Sequence, residues 1–264
     1  MNREHGTVYF IGAGPGDPEL ITVKGRRLIE EAALVLYAGS LVPAALVACA
    51  KATAQVVDSS SMTLEETHAA MREAAFAGLQ VARVHTGDPS LYGAVREQAA
   101  LLERDGIPYA IIPGVTAAFA AAAAAKISFT VPETAQSFAI TRMEGRTPVP
   151  PGQRVRDMAA HGGSLAVYLS APETERLQAE LLEAGLLPDT VVIAAYRVGW
   201  PEEKIIRTTV KELAAAVNAN GLDRQTVFLI LPGESRLSGG SADTRSRLYA
   251  GEFAHMFRDR DRSR

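Results

Sequence analysis

A glycine-rich turn occurs three times in the first half of this chain, and each copy lies between a strand-like run and a helix-like segment. The turns read GAGPGD from Gly12, GDPSLYG from Gly87 and PGVTAA from Pro113. The run before each turn is short and apolar, with the β-branched and aromatic residues that favour strands. This alternation predicts a largely parallel sheet covered by helices, because parallel neighbours need a crossover connection between them.

The pattern changes after Pro113 and Gly114. Strand-like runs then follow one another with fewer helices between them, which predicts a more mixed sheet. We therefore predict an α/β protein with two α/β domains, residues 1–114 and 115–236, whose sheets range from mainly parallel to mixed, and a polar tail, residues 237–264. A chain of 264 residues, 47% of them hydrophobic, is long enough to bury a core in each domain.

The first turn matches the dinucleotide fingerprint G-x-G-x-x-G imperfectly. Its glycines fall at Gly12, Gly14 and Gly16, and Pro15 removes a backbone N–H where a pyrophosphate needs donors. The second predicted strand also lacks the acidic residue that would bind a ribose hydroxyl, since residues 36–39 read LYAG. A dinucleotide-dependent oxidoreductase is therefore disfavoured. Two interpretations stay open: a turn that approaches another small ligand, and a tight turn with no ligand.

Asp88, in the second turn, also admits two interpretations. Asp88 and Pro89 suit the start of a helix, so Asp88 could serve only as the cap of the helix predicted from Tyr92. Alternatively, its carboxylate and the neighbouring backbone bind a polar small molecule, since ligands of open α/β sheets bind outside the carboxyl ends of the strands. All three turns are predicted at such ends, which favours a shared site.

Three arginines are candidates for binding an anionic substrate. Arg142 and Arg146 lie in a loop that also contains several prolines, and Arg197 lies three residues before the single tryptophan, Trp200. Forked guanidinium groups recognise carboxylates well. The alternative is that these arginines are solvated or pair with a neighbouring carboxylate such as Glu144 or Glu202.

Composition disfavours several other function classes. The net charge is −3, so no strong positive field predicts a nucleic-acid or anionic-membrane partner. The 5 histidines have no metal-ligand spacing, and neither a G-x-S-x-G elbow nor a P-loop lysine occurs, so we predict no metal site and no hydrolase or P-loop chemistry. Cys49 is the only cysteine, no apolar run is long enough to span a membrane, and the first residues lack a signal-peptide core. We therefore expect a cytoplasmic protein.

Taken in order, the three turns resemble those of the tetrapyrrole methylase family, over roughly residues 6–234. Segments 37–42, 141–148, 196–203 and 246–249 resemble the family members that methylate carbon 11 of precorrin-4 during cobalamin synthesis, including those whose substrate already contains cobalt. The resemblance implies two α/β domains, a homodimer, S-adenosylmethionine bound in a cleft between the domains, S-adenosylhomocysteine as product and a precorrin as substrate. A methylase of another ring carbon or of a protein side chain, and a non-catalytic sensor of small molecules, stay open.

The resemblance also implies site residues. Cofactor contacts are expected at Pro15, Gly87, Asp88, Leu91, Thr116, Ala117, Leu169, Val198 and Pro232. Contacts with the carboxylate-rich tetrapyrrole are expected at Tyr37, Ser40, Arg142, Arg146 and Arg197. No residue of the chain is assigned as a catalytic acid or base.

Overall fold

The computed structural model describes residues 5–234, and these form two compact units. The first contains residues 5–120 together with Arg197–Glu203, and the second contains Ala121–Tyr196 and residues 204–234. The predicted tail, 237–264, and with it motif 246–249, lie outside the described residues.

The first unit contains a five-stranded parallel sheet with the strand order β3-β2-β4-β1-β5. The strands are β1 (Val8–Gly12), β2 (Leu34–Tyr37), β3 (Gln55–Asp58), β4 (Val81–His85) and β5 (Tyr109–Ile112), and the helices are α1 (Val23–Glu31), α2 (Ala44–Val47), α3 (Leu64–Phe76), α4 (Val95–Arg104) and α5 (Ala117–Ala125). The observed division between the units falls within α5, shortly after the predicted boundary at Gly114. The mainly parallel sheet that the turns predict is confirmed.

The strands β2, β4 and β1 at the centre of this sheet are almost completely buried, as expected for parallel strands covered by helices. Ile11 and Val84 pack into one core, while Phe10 and Leu36 pack into another. One glycine turn begins at the carboxyl end of each of the strands β1, β4 and β5. Helix α1 follows the first turn and begins after Thr22, whose hydroxyl accepts a hydrogen bond from the Gly25 N–H at 3.1 Å.

Two features of this unit differ from the prediction. Strand β3 was not predicted, because it is a largely exposed edge strand and so lacks a continuous apolar run. Helix α4 begins at Val95 instead of Tyr92, because Tyr92 and Ala94 adopt left-handed backbone conformations, with φ of 55° and 49°.

The second unit contains a five-stranded mixed sheet with the order β6-β7-β10-β8-β9. Its strands are β6 (Phe138–Arg142), β7 (Ser164–Tyr168), β8 (Val191–Tyr196), β9 (Lys204–Thr209) and β10 (Thr226–Leu231), and its helices are α6 (Val155–Ala159), α7 (Thr174–Glu183) and α8 (Leu213–Asn220). Strands β6 and β7 are parallel, and the other neighbours are antiparallel. This confirms the mixed sheet. No helix between residues 5 and 234 is long and apolar enough to cross a membrane.

Candidate functional site

The first two glycine turns meet at the carboxyl edge of the first sheet. Strands β4, β1 and β5 are parallel neighbours, so their carboxyl ends lie at one edge. The Gly87 N–H donates to the Gly14 carbonyl at 2.8 Å, and the Gly14 N–H donates to the Gly87 carbonyl at 3.2 Å. The Ala13 N–H also donates to the His85 carbonyl at 2.7 Å. Gly14 and Gly87 thus form an isolated antiparallel bridge beyond the parallel strands β1 and β4, and these bonds hold the two turns together.

The third turn joins the other two through Asp88 and through close backbone packing. One carboxylate oxygen of Asp88 accepts from the Gly114 N–H at 2.9 Å, and the other accepts from the Ser90 N–H at 2.8 Å. A Cβ on Gly12 would lie only 2.6 Å from the Gly114 Cα, and a Cβ on Gly114 would collide with the Gly87 carbonyl oxygen. Only glycine fits at these two positions, because the backbones of the three turns touch.

These contacts exclude one of the two interpretations of Asp88, the helix cap. The residue that precedes α4 is Ala94, and it makes no side-chain cap hydrogen bond. Asp88 therefore does not cap that helix, and the helix-cap interpretation is wrong. Its carboxylate instead connects the second turn to the third.

The segment that follows Asp88 contains backbone strain. Tyr92 and Ala94 are non-glycine residues with positive φ, and Tyr92 is exposed. Gly93 between them lies against the Pro89 carbonyl and the His85 ring, where a Cβ would not fit. Left-handed conformations cost ordinary residues about 1–2 kcal/mol each, and strain of this kind clusters at functional sites. Leu91 lies at the start of this strained stretch and is partly buried.

Residues 197–203 belong to the same unit and pack against the first turn. The Trp200 indole N–H donates to the Pro15 carbonyl at 3.2 Å. Val198 is buried, at 6% exposure, and its carbonyl oxygen lies close to Gly16. Arg197 pairs with Glu202 at 3.3 Å, and its guanidinium lies 5.5 Å from the Trp200 ring centre. The pairing with Glu202 is the one that the sequence offered as the alternative to substrate binding.

The last residue of β2, Tyr37, and Ser40 in the loop that follows are candidate substrate contacts. The Asp58 carboxylate accepts from the Gly39 N–H at 2.9 Å, and this bond is the main cause that lowers the pKa of Asp58 below its ordinary value. Ser59 donates to the Tyr37 carbonyl through both its N–H, at 2.8 Å, and its hydroxyl, at 3.1 Å. Side chains at the end of β3 therefore hold this loop.

A buried arginine, Arg83, supports Ser59 through a hydrogen bond. Arg83, at 9% exposure, donates to the Ser59 hydroxyl at 2.7 Å and to the Gln98 side-chain oxygen at 3.0 Å. Burial lowers its pKa to about 10. Asp58, Ser59 and Arg83 were not singled out from the sequence; the available signal was an arginine between the apolar residues of a predicted strand.

His85 lies on the same strand, directly before the second turn. Burial, together with the charge of Arg83, lowers its pKa to about 3, so the ring is neutral at physiological pH. Its ring centre lies 5.8 Å from that of Phe10. Among the described residues, its Nε2 atom has no hydrogen-bond partner.

The two other candidate arginines lie in the second unit. Arg142 donates to the carbonyls of Met143, Thr147 and Pro148 at 3.2, 3.1 and 2.9 Å, so its guanidinium closes its own loop. Arg146 is exposed within that loop. Glu144, the expected partner of these arginines, instead lies 3.7 Å from Arg154.

Two predicted cofactor contacts also lie in the second unit, at opposite edges of its sheet. Leu169 follows β7 and is 68% exposed with φ of 55°, an unusual combination for an apolar residue. Beside it, the buried Ser170 hydroxyl accepts from the Met143 N–H at 2.8 Å and donates to the Tyr168 carbonyl at 2.6 Å. Pro232 follows β10, which runs antiparallel to β7, so Pro232 lies at the other edge. The sheet does not bring these two residues together.

Thr116 and Ala117 lie at the end of the third turn, where α5 begins, and the Thr116 Cα lies 3.7 Å from where a Cβ on Gly87 would be. The second and third turns are therefore in van der Waals contact at Gly87 and Thr116. Among residues 5–234, no group of three or more histidine, cysteine, aspartate or glutamate side chains could hold a metal ion.

The chain is similar to proteins of known function over most of its length. The family model of the tetrapyrrole (corrin/porphyrin) methylases matches residues 7–214. The chain is 46% identical to the cobalt-precorrin-4 C(11)-methyltransferase of Priestia megaterium over 258 residues, which cover 95% of this chain and 97% of that protein. It is 44% identical to the precorrin-4 C(11)-methyltransferase of Pseudomonas aeruginosa over 252 residues, 96% of this chain and 98% of that protein.

Two solved structures extend this similarity to the fold. A cobalt precorrin-4 methyltransferase, described as a cobalamin biosynthetic enzyme, matches with a TM-score of 0.83 and 47% identity, covering 85% of this chain and 94% of that one. A uroporphyrin-III C-methyl transferase from Thermus thermophilus, complexed with S-adenosyl homocysteine, matches with a TM-score of 0.70 and 28% identity, covering 86% and 97%.

Proposed function

This chain belongs to the tetrapyrrole methylase family, and from that premise we propose that it transfers the methyl group of S-adenosylmethionine to carbon 11 of precorrin-4, or of its cobalt complex, in cobalamin biosynthesis. The observation that carries the proposal is the convergence of the three glycine turns at one sheet edge. Relatives named for the metal-free and the cobalt-containing substrate are about equally similar to the chain, so both substrates belong to the proposal.

We propose that the backbones of the three turns form one wall of the cofactor site. They approach one another so closely that side chains are excluded at Gly12 and Gly114. We assign cofactor contacts to Pro15, Gly87, Asp88, Leu91, Thr116 and Ala117, and to Val198, whose segment packs on the first turn. The contacts expected from the second unit, Leu169 and Pro232, stay predictions.

The chemistry that the bound cofactor supplies is an electrophilic methyl group on a sulfonium centre. The chain's own contribution is to hold the acceptor carbon in line with that methyl group and to keep water away. Orientation of two bound reactants contributes roughly 7–11 kcal/mol to such reactions. His85 is neutral and buried, and none of the described residues is assigned as the proton acceptor.

For the tetrapyrrole we propose contacts from Tyr37, Ser40, Arg146 and Arg197. Precorrins carry many carboxylates, which suit guanidinium groups. Arg146 is exposed, and the ion pair of Arg197 with Glu202 is partly exposed, so a substrate carboxylate would compete with Glu202. Arg142 also stays in the proposal, but its three backbone contacts favour a role in shaping the loop that carries Arg146.

Two further parts of the proposal are a homodimer, which the family resemblance implies, and a cytoplasmic location, which the composition predicts. Light scattering of the purified protein measures its oligomeric state directly. A monomer at micromolar concentration contradicts the homodimer.

One experiment tests the reaction. The protein is incubated with precorrin-4 and, separately, with cobalt-precorrin-4, each with methyl-labelled S-adenosylmethionine, and the new methyl group is located by NMR. Label at carbon 11 supports the proposal, and the relative rates identify the preferred substrate. Label at another ring carbon, or binding of both ligands without turnover, contradicts it. A thermal-shift comparison of S-adenosylhomocysteine with NAD separates the methylase from a dinucleotide-dependent oxidoreductase.

A further inference from the structure

We propose that Trp200 is a positioning residue that holds the Pro15–Gly16 part of the first turn in the conformation that S-adenosylmethionine requires. The inference rests on the proposed function, because it assumes that this turn contacts the cofactor. It adds a residue to which the family motifs assign no role. Trp200 is the only tryptophan of the chain, and it lies far in sequence from the turn that it contacts.

The indole binds the turn through its edge. Its N–H donates to the Pro15 carbonyl at 3.2 Å, and among the described residues it is the only hydrogen-bond donor to that carbonyl. Proline has no N–H of its own, so its carbonyl is the one backbone group through which Pro15 can form a hydrogen bond. Gly16 packs directly against the ring, and a Cβ there would lie 2.6 Å from the indole nitrogen.

The backbone beside Trp200 packs against the same turn. Gly199 has φ of 79°, and a Cβ on it would lie 2.6 Å from the Asp17 nitrogen. The Val198 carbonyl oxygen would lie 2.9 Å from a Cβ on Gly16. Two glycines on facing segments therefore allow an approach that side chains would prevent, and the indole lies at the centre of this contact.

The segment that carries Trp200 is well supported. The backbone N–H of Gly199 donates to the Glu203 carboxylate at 2.8 Å, and the backbone N–H of Trp200 donates to the Arg197 carbonyl at 2.9 Å. The guanidinium of Arg197 lies over the indole face, 5.5 Å from the ring centre, in cation–π geometry. The ring is thus supported on one face by a proposed substrate contact, while its edge holds a proposed cofactor contact.

The substitution Trp200→Phe tests the role, because phenylalanine retains an aromatic ring and removes the N–H. We expect the Kd of S-adenosylhomocysteine, measured by calorimetry, to rise about 3- to 10-fold, which corresponds to one neutral hydrogen bond. The KM for S-adenosylmethionine should rise with it, while the KM for the tetrapyrrole and kcat stay within about twofold of the parent values. A merely structural role would lower the melting temperature without this selective change.

Tyr109→Phe is the matched control. It removes one hydrogen bond of the same unit, from the Tyr109 hydroxyl to Glu103 at 2.6 Å, at the start of β5 and so at the sheet edge opposite the turns. We expect this variant to bind S-adenosylhomocysteine with the parent affinity. An equal loss in both variants would overturn the proposal.

The parent protein provides an independent measurement, since all tryptophan fluorescence comes from Trp200. Titration with S-adenosylhomocysteine should change the emission with the calorimetric Kd. Parent affinity in Trp200→Phe overturns the inference while the proposed function stands. If Trp200→Phe does not fold, unchanged emission of the saturated parent overturns it. Failure of the parent to bind S-adenosylhomocysteine overturns both.

Discussion

The three converging turns and the loop after β2 lie in the same unit but are held in place by different means. The turns are joined mostly by backbone hydrogen bonds, such as the reciprocal pair of Gly14 and Gly87, and by glycine packing. The loop is held by side chains, chiefly Asp58 and Ser59, with Arg83 beneath. The comparison teaches that substitutions should disturb the two regions independently. Added side-chain volume should disrupt the packing of the turns, whereas loss of a charge or of a hydrogen-bond acceptor should disrupt the loop.

The largest effect is expected from Gly114→Ala. The new methyl group would collide with the Gly87 carbonyl oxygen, and overpacking of this kind typically costs about 1–3 kcal/mol. We expect S-adenosylhomocysteine to bind at least about 100-fold more weakly, because the turns must separate. Calorimetry and thermal unfolding measure both effects. Gly145→Ala is the control, since a Cβ there meets no atom within 4 Å. Parent affinity in Gly114→Ala would mean that the turns do not form the cofactor site.

His85, which lies directly before the second turn, should make the stability of the fold depend on pH. Because burial lowers its pKa to about 3 in the folded state, the unfolded chain binds a proton first as the pH falls below about 6.5, and stability is lost from there down to about 3. At pH 5 the expected loss is about 2 kcal/mol relative to pH 7. Denaturant unfolding at several pH values should show this loss in the parent and not in His85→Gln. His161→Gln, at an exposed histidine, should keep the parent profile.

Asp58→Ala should affect the loop alone. The substitution removes the acceptor of the Gly39 and Ser60 N–H groups, so the loop loses its main anchor. We expect the KM for the tetrapyrrole to rise about tenfold, while the Kd of S-adenosylhomocysteine stays unchanged. An equal change in both constants would show that loop and turns are one coupled site.

The Asp58 carboxylate, which holds the loop, should stabilise the folded state over a different pH range from that of His85. Hydrogen bonding lowers its pKa in the folded state, so its stabilising contribution is complete above the ordinary value of about 3.9 and is lost as the pH falls through the lowered pKa. This range lies below most of that of His85. Asp58→Asn should therefore weaken the acid dependence only at the most acidic pH values, as unfolding of the parent and the variant in parallel would reveal.

The smallest effect is expected from Arg146→Ala. The side chain is exposed, and exposed ion pairs contribute about 0–1 kcal/mol, so the KM for the tetrapyrrole should rise by no more than about fivefold. Steady-state kinetics at low and at high salt measure this rise in KM. The difference between parent and variant should shrink at high salt, because salt screens the attraction between Arg146 and a substrate carboxylate. Arg156→Ala, at another exposed arginine of the same unit, is the matched control.

Local sequence patterns predicted most of the fold. Strands β4 and β5 lie where the sequence predicts strands before the second and third glycine turns, and β2 is a similar short run rich in apolar residues. The edge strand β3 was missed because its residues are largely exposed, so its pairing with β2 left no periodic signal. The start of α4 was placed too early because nothing in Tyr92 or Ala94 predicts a left-handed backbone.

The sequence by itself determined the family, the α/β class of both halves and the three turns, since glycine spacing and apolar periodicity are local properties of the chain. Only the tertiary structure decided what those turns do to one another. Asp88 is a link to Gly114 and not a helix cap, Trp200 reaches Pro15, and Pro232 lies at the opposite sheet edge from Leu169. The reason is physical: these contacts join residues far apart in sequence, and strand order and direction, which no local pattern specifies, bring such residues together or keep them apart.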